Sequence, residues 1–127
     1  MKHNGPARAG RAIRSATWSA RPRWRITRGQ EIALGPGKVD LLEAIDSTGS
    51  ISAAAVALGM SYRRAWVLVA TMNESFLRPL VATSAHRARG AALTADGRLV
   101  LRLYRRIETR SRRAAQPDLA SLRKLLG

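Results

Sequence analysis

Between Arg23 and Thr27 apolar and polar positions alternate, with Trp24 and Ile26 set against Arg23, Arg25 and Thr27. A period of two predicts a short, half-buried strand. After Gly35, Pro36 and Gly37 the period lengthens. Val39, Leu41, Leu42 and Ile45 form a helical stripe, which predicts a helix over 36–48 ended by Gly49. Ser52 is placed to cap a second, two-turn helix from Ala53 to Leu58, with Gly59 as its left-handed terminator. Ser61 then caps a third helix from Tyr62 to about Asn73, a stretch without a breaker.

Two helices joined by the short turn Gly59, Met60, Ser61 are a helix-turn-helix signature. The run Ala53, Ala54, Ala55 gives it a physical basis, because small side chains let the third helix cross close over the second. Beyond Pro79, Leu80 to Thr83 and Ala91 to Leu93 read as two strands joined by a polar, basic loop from Ser84 to Gly90, a hairpin in the position of a wing. Thr94 caps a final helix, with Asp96 in its first turn, where negative charge suits the helix dipole. Leu99, Val100, Leu103, Tyr104 and Ile107 give that helix an apolar side as far as about Arg113, and Pro117 marks a tail. The expected fold is mainly α with a small β component, a winged helix-turn-helix over 23–113, between a disordered basic arm (1–22) and a C-terminal tail (114–127).

At 100° per residue, Ala65, Leu68, Val69 and Met72 of the third helix share one stripe that must face the core. Arg63, Val67 and Ala70 fall on the opposite side. Arginine near the start of an exposed helix, followed by small side chains, suits the major groove of DNA, where a guanidinium reads O6 and N7 of guanine. Arg63 and Arg64 are therefore the leading base or phosphate readers. Ser61 and Tyr62 stand where hydroxyl and amide groups meet backbone phosphate. Trp66 projects sideways, and two readings stay open for it: stacking on the sugar-phosphate backbone, or packing under the wing. Val67 is placed to touch a thymine methyl. In the wing, Arg87 and Arg89 suit a narrow minor groove, with His86 beside them as a polar loop residue.

Charge strengthens this picture. The 127 residues hold 23 Lys and Arg against 8 Asp and Glu, a net charge of +15, which points to a polyanionic partner. Lys2, Arg8, Arg11, Arg14, Arg21, Arg23, Arg25 and Arg28 occur in the first 28 residues with no acid among them. By contrast 36–60 has Lys38 against Asp40, Glu43 and Asp46, an acidic stripe expected to be solvated and to face away from a polyanion. There is no Cys, which removes disulfides and thiolate chemistry, and no triad, paired-carboxylate or metal-ligand spacing stands out. No catalytic residue, cofactor or metal is expected. No apolar run is long enough for a membrane span and no signal peptide opens the chain, so a cytoplasmic, nucleoid-associated location follows by default. Besides a sequence-specific regulator, the charge also admits a nucleoid-associated or RNA-binding protein without sequence preference, or an adaptor that uses the winged helix to bind protein.

The stretch IALGPGKVDLLEAIDSTGSISAAAVALGMSYRRAWVLVATMN, followed by PLV and later by LTADGRLVLRLYRRIE, resembles the DNA-binding domain of ModE-type molybdate-responsive transcriptional regulators, and more distantly the LysR-type winged helix. The resemblance implies a bacterial homodimer on double-stranded DNA, with Ser61 to Trp66 in the recognition helix and the strand and long terminal helix in the dimer. Three departures stand out, the first an added Arg-rich N-terminal arm expected to attract phosphate without sequence choice. The wing TSAHRARG is shorter and more basic than the family's Gly-rich loop, and the chain ends at Gly127, where the family continues into molybdate-binding domains. No molybdate site is expected in this chain.

Overall fold

The computed structural model describes residues 17–84 and 90–126. The alternation around Trp24 opens a hairpin: β1 (Ile26–Arg28) turns and returns as β2 (Glu31–Leu34), antiparallel, with an irregularity between Ile26 and Thr27. Gly29 sits at φ 62°, a left-handed conformation that lets the turn close without a Cβ penalty. The expectation of one half-buried strand on Trp24 and Ile26 is corrected here. Trp24 lies outside β1 and all of β1 is exposed, while the buried residues are Ala33 and Leu34 of β2.

α1 (Pro36–Thr48) matches its predicted bounds. Pro36 opens it where a missing N–H costs nothing, and Gly49 closes it at φ 76°, donating its N–H to the Ile45 carbonyl at 2.8 Å. α2 (Ile51–Leu58) begins two residues before the predicted start, so the Ser52 cap is corrected to Ser50, whose Oγ accepts the Ala53 N–H at 2.9 Å. The physical reason is Ile51: as the first helical residue it turns into the core, where it is buried. α3 (Tyr62–Ser75) starts on its predicted Ser61 cap and runs two residues past Asn73. β3 (Val81–Thr83) and β4 (Ala91–Leu93) then pair antiparallel, Val81 opposite Leu93 and Thr83 opposite Ala91.

α4 (Ala95–Leu126) outlasts its predicted end at about Arg113 and passes through Pro117, which corrects the expected tail. Proline removes one backbone hydrogen bond, but here it is flanked by good helix formers, Ala114 and Ala115 before it and Leu119, Ala120 and Leu122 after it. The described residues divide into a unit of residues 23–108 and a unit of residues 17–22 with 109–126. Within the latter, the Arg123 guanidinium lies over the Trp18 ring at 5.5 Å.

In the unit of residues 23–108, one core joins Leu34, the buried face of α1, Ile51, Ala54, Ala55, Ala65, Val69, Met72, Leu80, both wing strands and Tyr104. Ala54 and Ala55 are buried as the close-crossing argument requires, whereas Ala53 is exposed. α4 docks on this core by three devices. Gly97 approaches the Leu80 carbonyl so closely that a Cβ there would stand 2.1 Å from its oxygen. Tyr104, buried, donates its hydroxyl to the Trp24 carbonyl at 2.7 Å. Arg105 reaches Asp40 at 3.2 Å, Glu43 at 2.7 Å and Glu108 at 2.9 Å. The acidic stripe of α1 is therefore not merely a solvated face, because two of its three carboxylates anchor α4. This arrangement is a winged helix-turn-helix: α2 and α3 form the helix pair, β3 and β4 the wing, and α1, β2 and the start of α4 the support.

Candidate nucleic-acid interface

Ser61 begins α3 in an extended conformation, and its Oγ accepts the Arg64 N–H at 3.0 Å. This cap satisfies one of the helix's otherwise unpaired N–H groups. The first turn then displays Tyr62, Arg63 and Arg64, all exposed. Behind them Ala65, Val69 and Met72 are buried and Leu68 is partly buried, so three of the four predicted core residues are sealed and the fourth borders the core. The helix is thus fixed by its back while Arg63, Val67 and Ala70 point to solvent, the polarity that its sequence predicts.

Among the described residues Trp66 packs against its own helix. Its ring meets Tyr62 edge-on, with centroids 6.1 Å apart and planes at 82°, and it remains 37% exposed. Such an aromatic pair is worth about 0.5–1.5 kcal/mol beyond area burial, enough to hold both rings as one wall along the side of the reading face. Val67, at 58% exposed, stands next to that wall. Ser61, Tyr62, Arg63, Arg64, Trp66 and Val67 are therefore gathered on one surface, whereas His86, Arg87 and Arg89 fall outside the described residues.

The wing's base is well defined. Ser84 donates its N–H to the Gly90 carbonyl at 3.1 Å, which carries the ladder one step past β3 and β4. Ala91 donates to the Gly49 carbonyl at 3.0 Å, pinning β4 to the turn between α1 and α2. Asn73 ties α3 to β3: its Oδ1 accepts the N–H groups of Leu80 (2.9 Å) and Val81 (3.1 Å), and its Nδ2 donates to the Val81 carbonyl at 3.1 Å.

Sequence reasoning missed several residues that hold this surface. Asn73 had a signal, a polar residue four positions after the core residue Val69 on the same stripe. Arg28 and Arg105 had none. Arg28, in sequence one more charge of the basic N-terminal stretch, donates to the Ser75 carbonyl at the C-terminus of α3 at 3.3 Å, where a cation complements the helix dipole. Burial pulls the Arg105 guanidinium's pKa down, but the hydrogen bonds it donates to Glu108, Asp40 and Glu43 outweigh that and raise it, so its charge is permanent. Arg78 pairs with Asp96 at 2.9 Å across the start of α4.

Residues 37–98 match the family model described as bacterial regulatory helix-turn-helix protein, lysR family. Among curated proteins, the molybdenum transport protein ModE of Azotobacter vinelandii is 40% identical over 78 residues, which is 60% of this chain and 29% of that protein. The DNA-binding transcriptional dual regulator ModE of Escherichia coli K12 is 36% identical over 77 residues, 59% of this chain and 29% of that one. The chain thus spans less than a third of the length of these relatives. Among solved structures, the one described as a CbnR_DBD-DNA complex superposes with a TM-score of 0.56 at 24% identity, covering 68% of this chain and 95% of that chain, which supports the fold. Residues 37–98 are thus similar to the helix-turn-helix of the lysR family, and about 60% of the chain is similar to the ModE proteins.

Proposed function

We propose that this protein is a transcriptional regulator, not an enzyme, that reads double-stranded DNA by inserting the N-terminal half of α3 into the major groove. One observation carries the reading: Ser61, Tyr62, Arg63, Arg64 and Val67 are presented together on the open side of a helix whose other side is locked into the core. Arg63 and Arg64 are the base readers, the α3 N-terminus and Tyr62 hold phosphate, and the Tyr62–Trp66 wall borders the sugar-phosphate backbone. The wing residues His86, Arg87 and Arg89 add minor-groove and phosphate contacts. The relatives named transcriptional regulators support the same reading, and it places the protein in the cytoplasm, on the nucleoid. Among the described residues no helix is long and apolar enough to cross a membrane.

The reader works as a homodimer on an inverted repeat, with two α3 helices about 34 Å apart in successive major grooves. Support for the dimer comes from Leu99 and Leu103, one turn apart on α4 and exposed on the side opposite the core, and from Ile26 and Ile32 on the first hairpin, also exposed. Large exposed apolar residues on neighbouring elements mark a contact surface.

Selection of bound sequences from a random duplex pool, with and without molybdate, tests the proposal. An enriched inverted repeat that disappears with Arg63→Ala and Arg64→Ala is expected, since each bidentate arginine–guanine contact contributes about 1–3 kcal/mol of discrimination. Equal competition by random duplex and structured RNA would show charge-driven binding without choice. No DNA complex even at low salt would favour a protein-binding adaptor.

A further inference from the structure

The wing is aimed from its base. Between Ser75 and Val81 the connecting segment packs through Phe76 and Leu80, while Leu77, Arg78 and Pro79 are exposed, Leu77 at 97%. Beside the core that Val69 and Met72 share with Leu80 and Val81, one side chain ties the reading helix to the first wing strand by hydrogen bonds. Asn73 offers its amide to both the N–H and the carbonyl of Val81, the pair of bonds that a neighbouring strand residue would make, and also accepts the N–H of Leu80. Leu80 and Val81 are buried, so removing the amide leaves backbone groups at the edge of the core without their protein partner. From the opposite side Thr94 holds the same turn: its N–H and Oγ1 reach the Leu80 carbonyl at 2.9 and 3.2 Å, and its Oγ1 reaches the Pro79 carbonyl at 2.7 Å.

We propose that Asn73 is a positioning residue for DNA recognition, fixing the angle of the wing to the reading helix so that both engage the same stretch of duplex. The inference rests on the function proposed above. Leverage makes the angle matter. Ser84, where the strand gives way to the loop, lies three residues beyond Val81, about 10 Å along a strand. A swing of about 10° at Val81 therefore displaces the loop's root by nearly 2 Å, more than a hydrogen bond or an ion pair with phosphate tolerates.

A double-mutant cycle on DNA affinity tests this, combining Asn73→Ala with the wing pair Arg87→Ala and Arg89→Ala on the selected operator. If Asn73 aims the wing, Asn73→Ala and the wing variant each weaken binding by about tenfold, and the combination is no weaker than either alone. The slope of log affinity against log salt becomes shallower by the same amount in all three, as phosphate contacts are lost. A residue that only supports folding would lower the active fraction without changing the slope, and its losses would multiply with those of the wing. Multiplying losses overturn the inference and leave the DNA-reading proposal standing. A wing variant that binds as well as the parent overturns both the wing's role and the inference built on it. Should Asn73→Ala fail to fold, Asn73→Asp keeps the two accepted bonds, loses the one donated to Val81, and enters the same cycle.

Discussion

Replacing Gly97 by alanine opposes two effects of known size. Gly97 lies inside α4, and alanine in a helix interior is favoured over glycine by about 1 kcal/mol, so propensity alone predicts a more stable protein. Packing predicts the reverse. The added Cβ would stand 2.1 Å from the Leu80 carbonyl oxygen, 3.0 Å from its carbon and 3.3 Å from the Leu80 Cα, all of them backbone. No rotamer change relieves such a contact, and the Leu80 carbonyl cannot yield alone because the Thr94 N–H donates to it while Asn73 holds the Leu80 N–H. Relief requires α4 to withdraw by about 1 Å, an overpacking cost of about 1–3 kcal/mol, with the strained Thr94 N–H bond adding about 0.5–1.5 kcal/mol as it breaks. After the propensity gain, Gly97→Ala should destabilise the domain by about 2 kcal/mol. For a domain of this size that lowers Tm by roughly 8–16 °C. Circular dichroism melts would measure it, with Gly37→Ala as the control: in the first turn of α1 nothing lies within 4 Å of an added Cβ. Gly37→Ala should therefore be neutral or stabilising by up to about 1 kcal/mol. A Gly97→Ala protein that melts at or above the parent's temperature would refute the argument from close approach.

Urea denaturation should separate the two candidate caps of α2, with Ser50→Ala costing about 1 kcal/mol and Ser52→Ala staying within about 0.5 kcal/mol of the parent. Arg105→Ala should destabilise by about 1–2 kcal/mol at low ionic strength, since it leaves Asp40, Glu43 and Glu108 close together without their cation, and the loss should shrink in 1 M salt. Tyr104→Phe removes the bond to the Trp24 carbonyl and should cost about 1 kcal/mol at neutral pH. Burial, aided by Glu108, raises the Tyr104 phenol above its ordinary pKa of 10.0, so its contribution is complete below that value and is lost as pH climbs through the raised one. The stability gap between parent and Tyr104→Phe should therefore narrow above pH 10, as chemical denaturation over a pH series would show.

The sequence by itself determined the helix-turn-helix and its reading face. Caps, left-handed glycines and a 3.6-residue period are local, and they set α1, the α2–α3 turn, the Ser61 start of α3 and the outward direction of Arg63 and Val67 without reference to the rest of the chain. The wing strands were legible for the same reason, as short β-prone runs on either side of a polar loop. Tertiary structure decided what local rules leave open. Ser50 and Ser52 are both competent caps, and burial of Ile51 selects Ser50. Proline reads as a stop, yet α4 continues through Pro117. Trp24 and Ile26 alternate correctly, but the residues that reach the core are in β2, a strand whose partner had to be found first. The ties that aim the site were the least legible. Asn73 to Val81, Arg105 to α1, Arg28 to the end of α3 and Gly97 against Leu80 join elements distant in sequence, and the identity of a side chain does not say which backbone will come within 3 Å of it.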